Sequence, residues 1–361
     1  TQPDELDFLE TTLREASVLV PGNYDGNNNP YVLTKYLAAA AVDDCEFHAL
    51  FDRNLISPLV ALARGESVPD SSQAQATARL AAACACFCIM AGILIEPNIS
   101  LYEFAATSGN SAAQSDAYIF RVADNLDAMA FLDIAMGRAS QLPRDMLERI
   151  KSLPEIADHI VPEKNFERQL SMWRPNYLYA LKTVALRRAG LGPLDSALAL
   201  TRWQTEEAFF SAPAGMYCIA AISHTPPKGG MLKGIFSENI ESLRSGLRNA
   251  TWDMCLLRQF GRLASKLGGP RWSLWSTDVA LRQIALSLFV RGDSSEQAQL
   301  CEFYKRHWGA SDGGRLAAAY EDAYTEAHRN IETRRRMTGE FMSNIDEHIY
   351  KLEHELGLSD A

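Results

Sequence analysis

The run Phe47-His48-Ala49-Leu50-Phe51 constrains the fold most: it is apolar, too short for a helix, and followed at once by Asp52, Arg53 and Asn54. A bounded apolar run of this length predicts a buried strand. The apolar-periodic residues behind it (Leu55, Ile56, Leu59, Val60, Leu62 and Ala63) predict a helix. Asp52 then stands at the carboxyl end of a strand, where open α/β sheets bind their ligands. A carboxylate there either belongs to a helix cap or is the first member of a metal site. Asn54 suits an N-cap equally well, because its oxygen can accept from a free N–H of the first turn.

Comparable settings recur along the chain. Val18-Leu19-Val20 reads as a short strand. Gly92 splits the apolar stretch from Ala81 to Ile95 into the end of an Ala-rich helix, begun near Ser71, and a strand from Ile93 to Glu96. Pro97 and Asn98 break that strand, and the helix opening at Ile99 carries Glu103 in its first turns, with Glu96 as a competing carboxylate. Trp272-Ser273-Leu274-Trp275-Ser276 reads as a further strand, closed by Thr277 and Asp278 and followed by a helix from Val279 to Phe289. Asp253 lies on the helical segment from Arg244 to Leu267, which Gly268-Gly269-Pro270 ends.

Helical periodicity alone fills the span from about Ser115 to Ser245, with Pro162, Pro175 and Pro193 as punctuation and Trp173, Trp203, Phe209 and Phe210 as packing residues. Its length is that of a small domain. Thr225-Pro226-Pro227-Lys228-Gly229-Gly230 reads as an exposed loop, and its glycines lack P-loop spacing. After a turn near 292–295 the chain is helical to about Leu356 and includes Arg334-Arg335-Arg336, which reads as a solvated face.

The 361 residues suffice for one large or two ordinary domains, and the 47% apolar share supplies a sizeable core. A net charge of -10 excludes a general nucleic-acid coat, which needs a broad basic face, but not a local basic patch. Seven cysteines, mostly in apolar surroundings, fit reduced thiols in a cytoplasmic protein. Cys84, Cys86 and Cys88 lack zinc-site spacing and read as small buried hydrophobes. The longest apolar run, fifteen residues, falls short of the roughly 20 a membrane span needs. The polar, acidic N-terminal stretch shows no signal-peptide pattern. A soluble protein with no membrane partner is expected. The histidines, His159 among them, show no His-Glu-x-x-His spacing and read as core or surface residues.

Four segments thus carry acids in a set order: Asp52 with Asn54, then Glu103, Asp253 and Asp278. Helical crossovers between parallel strands would gather strand-end carboxylates at one edge. Gathered carboxylates repel unless a cation neutralises them, and hard oxygen donors suit Mg²⁺ or Mn²⁺. The order resembles that of the PIN-like nuclease family on Leu50-Phe51-Asp52-Arg53-Asn54-Leu55, Leu101-Tyr102-Glu103, Trp252-Asp253-Met254 and Ser276-Thr277-Asp278-Val279-Ala280-Leu281. The resemblance implies a helix-rich α/β fold with a small parallel sheet. It divides the chain into an N-terminal helical segment (1–45), a discontinuous core (46–115 and 245–290), an all-α insertion (116–244) and a helical extension (291–361). It further implies a metal-dependent ribonuclease with Asp52, Glu103, Asp253 and Asp278 as catalytic metal ligands. Asn54, Ser276 and Thr277 would orient them, and RNA would be the substrate. Arg53 stands where this family usually has a small hydroxyl residue. Arg53 and Arg248 are candidate phosphate contacts by their charge.

Two other readings differ in what they expect of the acids. A helical interaction or scaffold protein with a degenerate, metal-free core expects them scattered and structural. A toxin or defence nuclease held inactive by a protein partner expects the same site, masked. Oligomeric state is left open.

Overall fold

In a computed structural model that describes residues 2–22, 29–152, 164–227, 234, 237–266, 268–289, 296–329 and 331–358, the chain is helix-rich α/β. It divides into two compact units, residues 1–169 with 262–277 and residues 170–261 with 278–361. The part of the predicted loop at 228–230, Pro162, and the turn near 292–295 lie outside the described residues.

The first unit is built on a four-stranded sheet of β1 (Leu19–Pro21), β2 (Phe47–Phe51), β3 (Ile93–Glu96) and β4 (Arg271–Trp275) in the order β1-β4-β2-β3. Central β2 is parallel to both neighbours, with Leu50 level with Leu274 on one side and Glu96 on the other. The expected all-parallel sheet is corrected to a mixed one, because β1 pairs with β4 antiparallel. This strand has three residues and ends in Pro21, and an edge position suits a residue with no backbone N–H to donate.

Helix α1 (Pro3–Ala16) begins at a capping box in which Gln2 and Glu5 bond reciprocally. Helix α2 (Leu33–Asp43) precedes β2, and α3 (Arg53–Ala63) leaves it. Helix α4 (Ser72–Ala91) follows, then α5 (Asn98–Ser108), α6 (Asn110–Ala123), α7 (Ala128–Ala135) and α8 (Arg144–Ser152). Helix α4 ends at Gly92 with φ +67°, a left-handed conformation that glycine adopts without strain and that turns the chain into β3. By length and composition α4 could cross a membrane, yet Ala81 through Cys88 are buried in the core of this unit. Burial pushes the Cys86 thiol up to about 12 and raises those of Cys84 and Cys88 further, which leaves all three as apolar filling. Trp275 fixes the sheet to this helix: its ring lies 5.9 Å from Phe87 and 5.6 Å from Phe51, and its indole N–H donates to Ser273 Oγ at 2.9 Å.

The described elements of the second unit are helical. They are α9 (Trp173–Arg188), α10 (Pro193–Glu206), α11 (Ala212–Ala221), α12 (Ile240–Ala264, in this unit as far as Gly261), α13 (Val279–Ser287), α14 (Glu296–Arg329), α15 (Ile331–Ser343) and α16 (Ile345–Glu355). Gly309, at φ +79°, kinks α14 into two helical stretches. The core holds Leu178, Tyr179, Tyr217, Met254, Cys255 and Tyr304, all fully buried. Arg334, the first of the basic run, donates to the carbonyls of Gln204, Thr205 and Ala208 around the end of α10, so it ties off helical acceptors.

Replacing Phe51, which is fully buried between strand and helix layers, leaves a cavity in a core that cannot collapse around it. Phe51→Ala is expected to cost about 3–5 kcal/mol, read as a lower urea midpoint at unchanged slope.

Candidate functional site at the carboxyl end of the first unit's sheet

Asp52 follows the last residue of β2, and its N–H donates to the Trp275 carbonyl at 2.9 Å. It is the N-cap residue of α3, but its side chain makes no capping hydrogen bond. Instead Oδ2 accepts from Ser276 Oγ at 2.7 Å and from Asn54 Nδ2 at 3.0 Å. Asn54 is therefore a donor to the carboxylate and not the cap of the helix. Ser276 is fully buried and Asp52 nearly so at 7% exposure, so this carboxylate is fixed in direction by a residue just past β4 and one in the first turn of α3. Thr277, next in the chain, is half-buried.

Glu103 sits in α5, half-buried. Burial pushes its carboxyl up to about 7, repulsion from Asp52 adds to the rise, and Arg53 opposes it. The Arg53 guanidinium lies 4.0 Å from the centre of the Phe104 ring and donates to the Ser100 carbonyl at 3.3 Å. Burial lowers the pKa of Arg53, against the pull of Glu103, Asp116 and Asp52. The competing carboxylate, Glu96, accepts from the Asn98 N–H at 2.8 Å and stands 3.8 Å from Arg121, a capping role.

Two residues in this region were missed by sequence reasoning. Ser100 Oγ donates to the Phe51 carbonyl at 2.7 Å and holds α5 to the end of β2. Asp116, buried on α6, pairs with Arg64 at 2.6 Å. The available signal was Asp116 itself, an acid beside Ala113, Ala117 and Phe120 on an otherwise apolar helix face.

The other two predicted acids belong to the second unit. Asp253, on α12, accepts from the Tyr217 hydroxyl at 2.7 Å. Asp278 is the N-cap of α13, and its Oδ1 accepts from the Ala280 and Leu281 N–H groups at 2.7 and 3.1 Å. Both acids help to raise the buried Tyr217 phenol, after burial itself. Arg248 is exposed on α12. The structure thus brings together Asp52, Asn54 and Ser276, with Arg53 and Glu103 in the same electrostatic neighbourhood, and separately groups Asp253 and Asp278 around Tyr217. Among the described residues no set of three or more His, Cys, Asp or Glu is placed to hold a metal ion. His48 pairs with Glu46 at 2.6 Å and His348 stacks on Phe341, while His159 lies outside the described residues.

The geometry defines a helix-rich α/β protein with an oriented, nearly buried carboxylate at the end of a parallel strand pair. Comparison with protein-family models, with curated proteins and with solved structures gives no match.

The raised carboxyl of Glu103 sets a pH dependence. Between about 4.5 and about 7 the folded chain holds a proton that the unfolded chain has lost, so this group's contribution lowers stability as pH rises through that window. Glu103→Gln removes the cost of the buried charge. Urea titrations are expected to show the variant more stable by roughly 2–3 kcal/mol at pH 8, level with wild type near pH 4, and flatter between.

Proposed function

We propose that the protein is a PIN-like, Mg²⁺- or Mn²⁺-dependent endoribonuclease whose chemistry is centred on Asp52. The observation that carries this reading is that Asp52 occupies a helix-capping position without capping, and is aimed instead by Ser276 and Asn54. An acid with only a structural role would satisfy the helix end, as Asp278 does.

The donor set fits a hard divalent cation. Mg²⁺ is commonly held by one or two carboxylates together with substrate phosphates and water, and Asp52 and Glu103 supply two. A cation between them would also relieve the repulsion that helps to hold Glu103 up. When bound, the ion supplies Lewis-acid activation for hydrolysis of a phosphodiester bond. The chain's own residues do the rest. Ser276 and Asn54 keep the Asp52 carboxylate in one orientation, the kind of outer support on which metal sites depend. Glu103 would enter the site as the carboxylate, the form that an adjacent cation favours. Arg53, stacked on Phe104, offers a preset cation to a phosphate. By the resemblance, Thr277 orients the ligand set.

One observation favours the scaffold reading for part of the set: Asp278 and Asp253 already have structural partners in a helix end and a phenol. The two readings separate in a single series. Mn²⁺ binding by calorimetry and cleavage of a mixed-sequence RNA are measured for wild type, Asp52→Asn and Asp278→Ala. We expect Asp52→Asn to weaken Mn²⁺ binding about tenfold or more and to abolish cleavage with the circular dichroism spectrum unchanged. Wild-type cleavage by Asp52→Asn refutes the site. Asp278→Ala removes a cap and is expected to cost about 1 kcal/mol of stability. If that is its whole effect, Asp278 is structural.

A further inference from the structure

The second unit contains a cavity of about 440 Å³ walled by α9, α12 and α16, within the size range of small-molecule sites. Most of its lining is polar, and the polar groups fall into two sets.

One set is fixed. The Tyr177 hydroxyl donates to Glu353 Oε1 at 2.8 Å, and the Tyr177 ring stacks on Trp173 at 4.8 Å between centroids. Burial, with Glu353 beside it, raises the Tyr177 phenol, so it stays a donor at neutral pH. Arg244 donates to Glu241 at 3.0 Å and to the Leu358 carbonyl at 2.9 Å. These bonds pre-organise the floor and leave carboxylate oxygens as acceptors.

The other set has no such bonds. Arg248 lies four residues after Arg244, on the same helix face, and is exposed. Among the described residues it makes no ion pair or hydrogen bond. Tyr350 is 61% exposed, which leaves its ring open to a ligand. A planar guanidinium fork suits a phosphate, an open tyrosine ring suits a nucleobase, and carboxylate acceptors suit ribose hydroxyls. Two acids in the lining would repel a polyphosphate, which limits the ligand to a single phosphate group.

We propose that this cavity binds one ribonucleotide unit, with its phosphate on Arg248, its base against Tyr350 and its ribose hydroxyls toward Glu353. The source is an RNA chain and not a free metabolite; that choice of source rests on the nuclease reading, whereas the pocket chemistry does not.

The test is calorimetric titration of the whole chain with AMP, GMP, inorganic phosphate and a 5′-phosphorylated RNA trinucleotide, without divalent metal so that no cleavage intervenes. Wild type, Arg248→Ala, Tyr350→Ala and Asp52→Asn are compared. Both substitutions in the cavity replace exposed side chains, so folding should survive, and circular dichroism checks it. We expect nucleotide binding that Arg248→Ala and Tyr350→Ala each weaken about tenfold, the scale of losing one stacking or charged partner. The trinucleotide should bind more tightly than either mononucleotide. Tighter binding of AMP or GMP than of the trinucleotide refutes RNA as the source. Absence of nucleotide binding at millimolar concentration, equal binding of phosphate and nucleotides, or indifference to both cavity substitutions overturns the site. Failure of the nuclease reading shows separately, as Mn²⁺ binding and cleavage that Asp52→Asn does not change.

Discussion

The pairing of β2 with β4 is the interaction on which the first unit depends. It joins residues more than two hundred positions apart, and the Ser276 to Asp52 hydrogen bond spans 224 positions. Closing so long a loop costs little more entropy than closing a shorter one, because the cost grows only with the logarithm of length. The pair is held by what it buries: Phe51, Leu50, Leu274 and Trp275 are all at most 1% exposed. Once those side chains are covered, Asp52 and Ser276 arrive side by side as a by-product of register. A slip of one residue would turn every side chain of the strand to the opposite face and separate them.

Short apolar runs bounded by Gly, Pro or acidic residues were enough to locate all four strands, since each is too short to be read as a helix. Arg271, and not Trp272, opens β4, a difference at an exposed end where no side chain is forced inward. The antiparallel direction of β1 was not legible, because three residues carry no information about orientation. Asp52 was legible as a strand-end acid. That it would not cap its helix was not, since that depends on Ser276 arriving from the far end of the chain. The two units were not legible either: the boundary passes between Thr277 and Asp278, inside a motif read as one piece. The division of labour within Arg334-Arg335-Arg336 was equally hidden, because a run of like residues does not say which member meets helical carbonyls.

The acids show how burial and partners sort residues that look alike in sequence. Asp278 satisfies two backbone donors, Asp253 satisfies a phenol, and Glu96 satisfies a turn. Asp52 receives hydrogen bonds from the Ser276 and Asn54 side chains, and Glu103 is held between burial, which favours its acid form, and Arg53, which favours its base form. Buried polar groups are satisfied in most proteins. What differs is whether the satisfying partner is a backbone donor of the helix the acid precedes or a side chain that aims it.

The order of the strands along the chain also shapes how the protein emerges from the ribosome. Synthesis at about 5–20 residues per second leaves roughly 10–45 s between the appearance of β2 and that of β4. Throughout that interval one edge of β2 has no strand beside it, although β3, which covers the other edge, is made early in it. An apolar strand edge exposed for that long invites pairing with other chains. Holding that edge apart until the last strand arrives is work for a chaperone, and fragments that stop before residue 271 would carry the same open edge permanently.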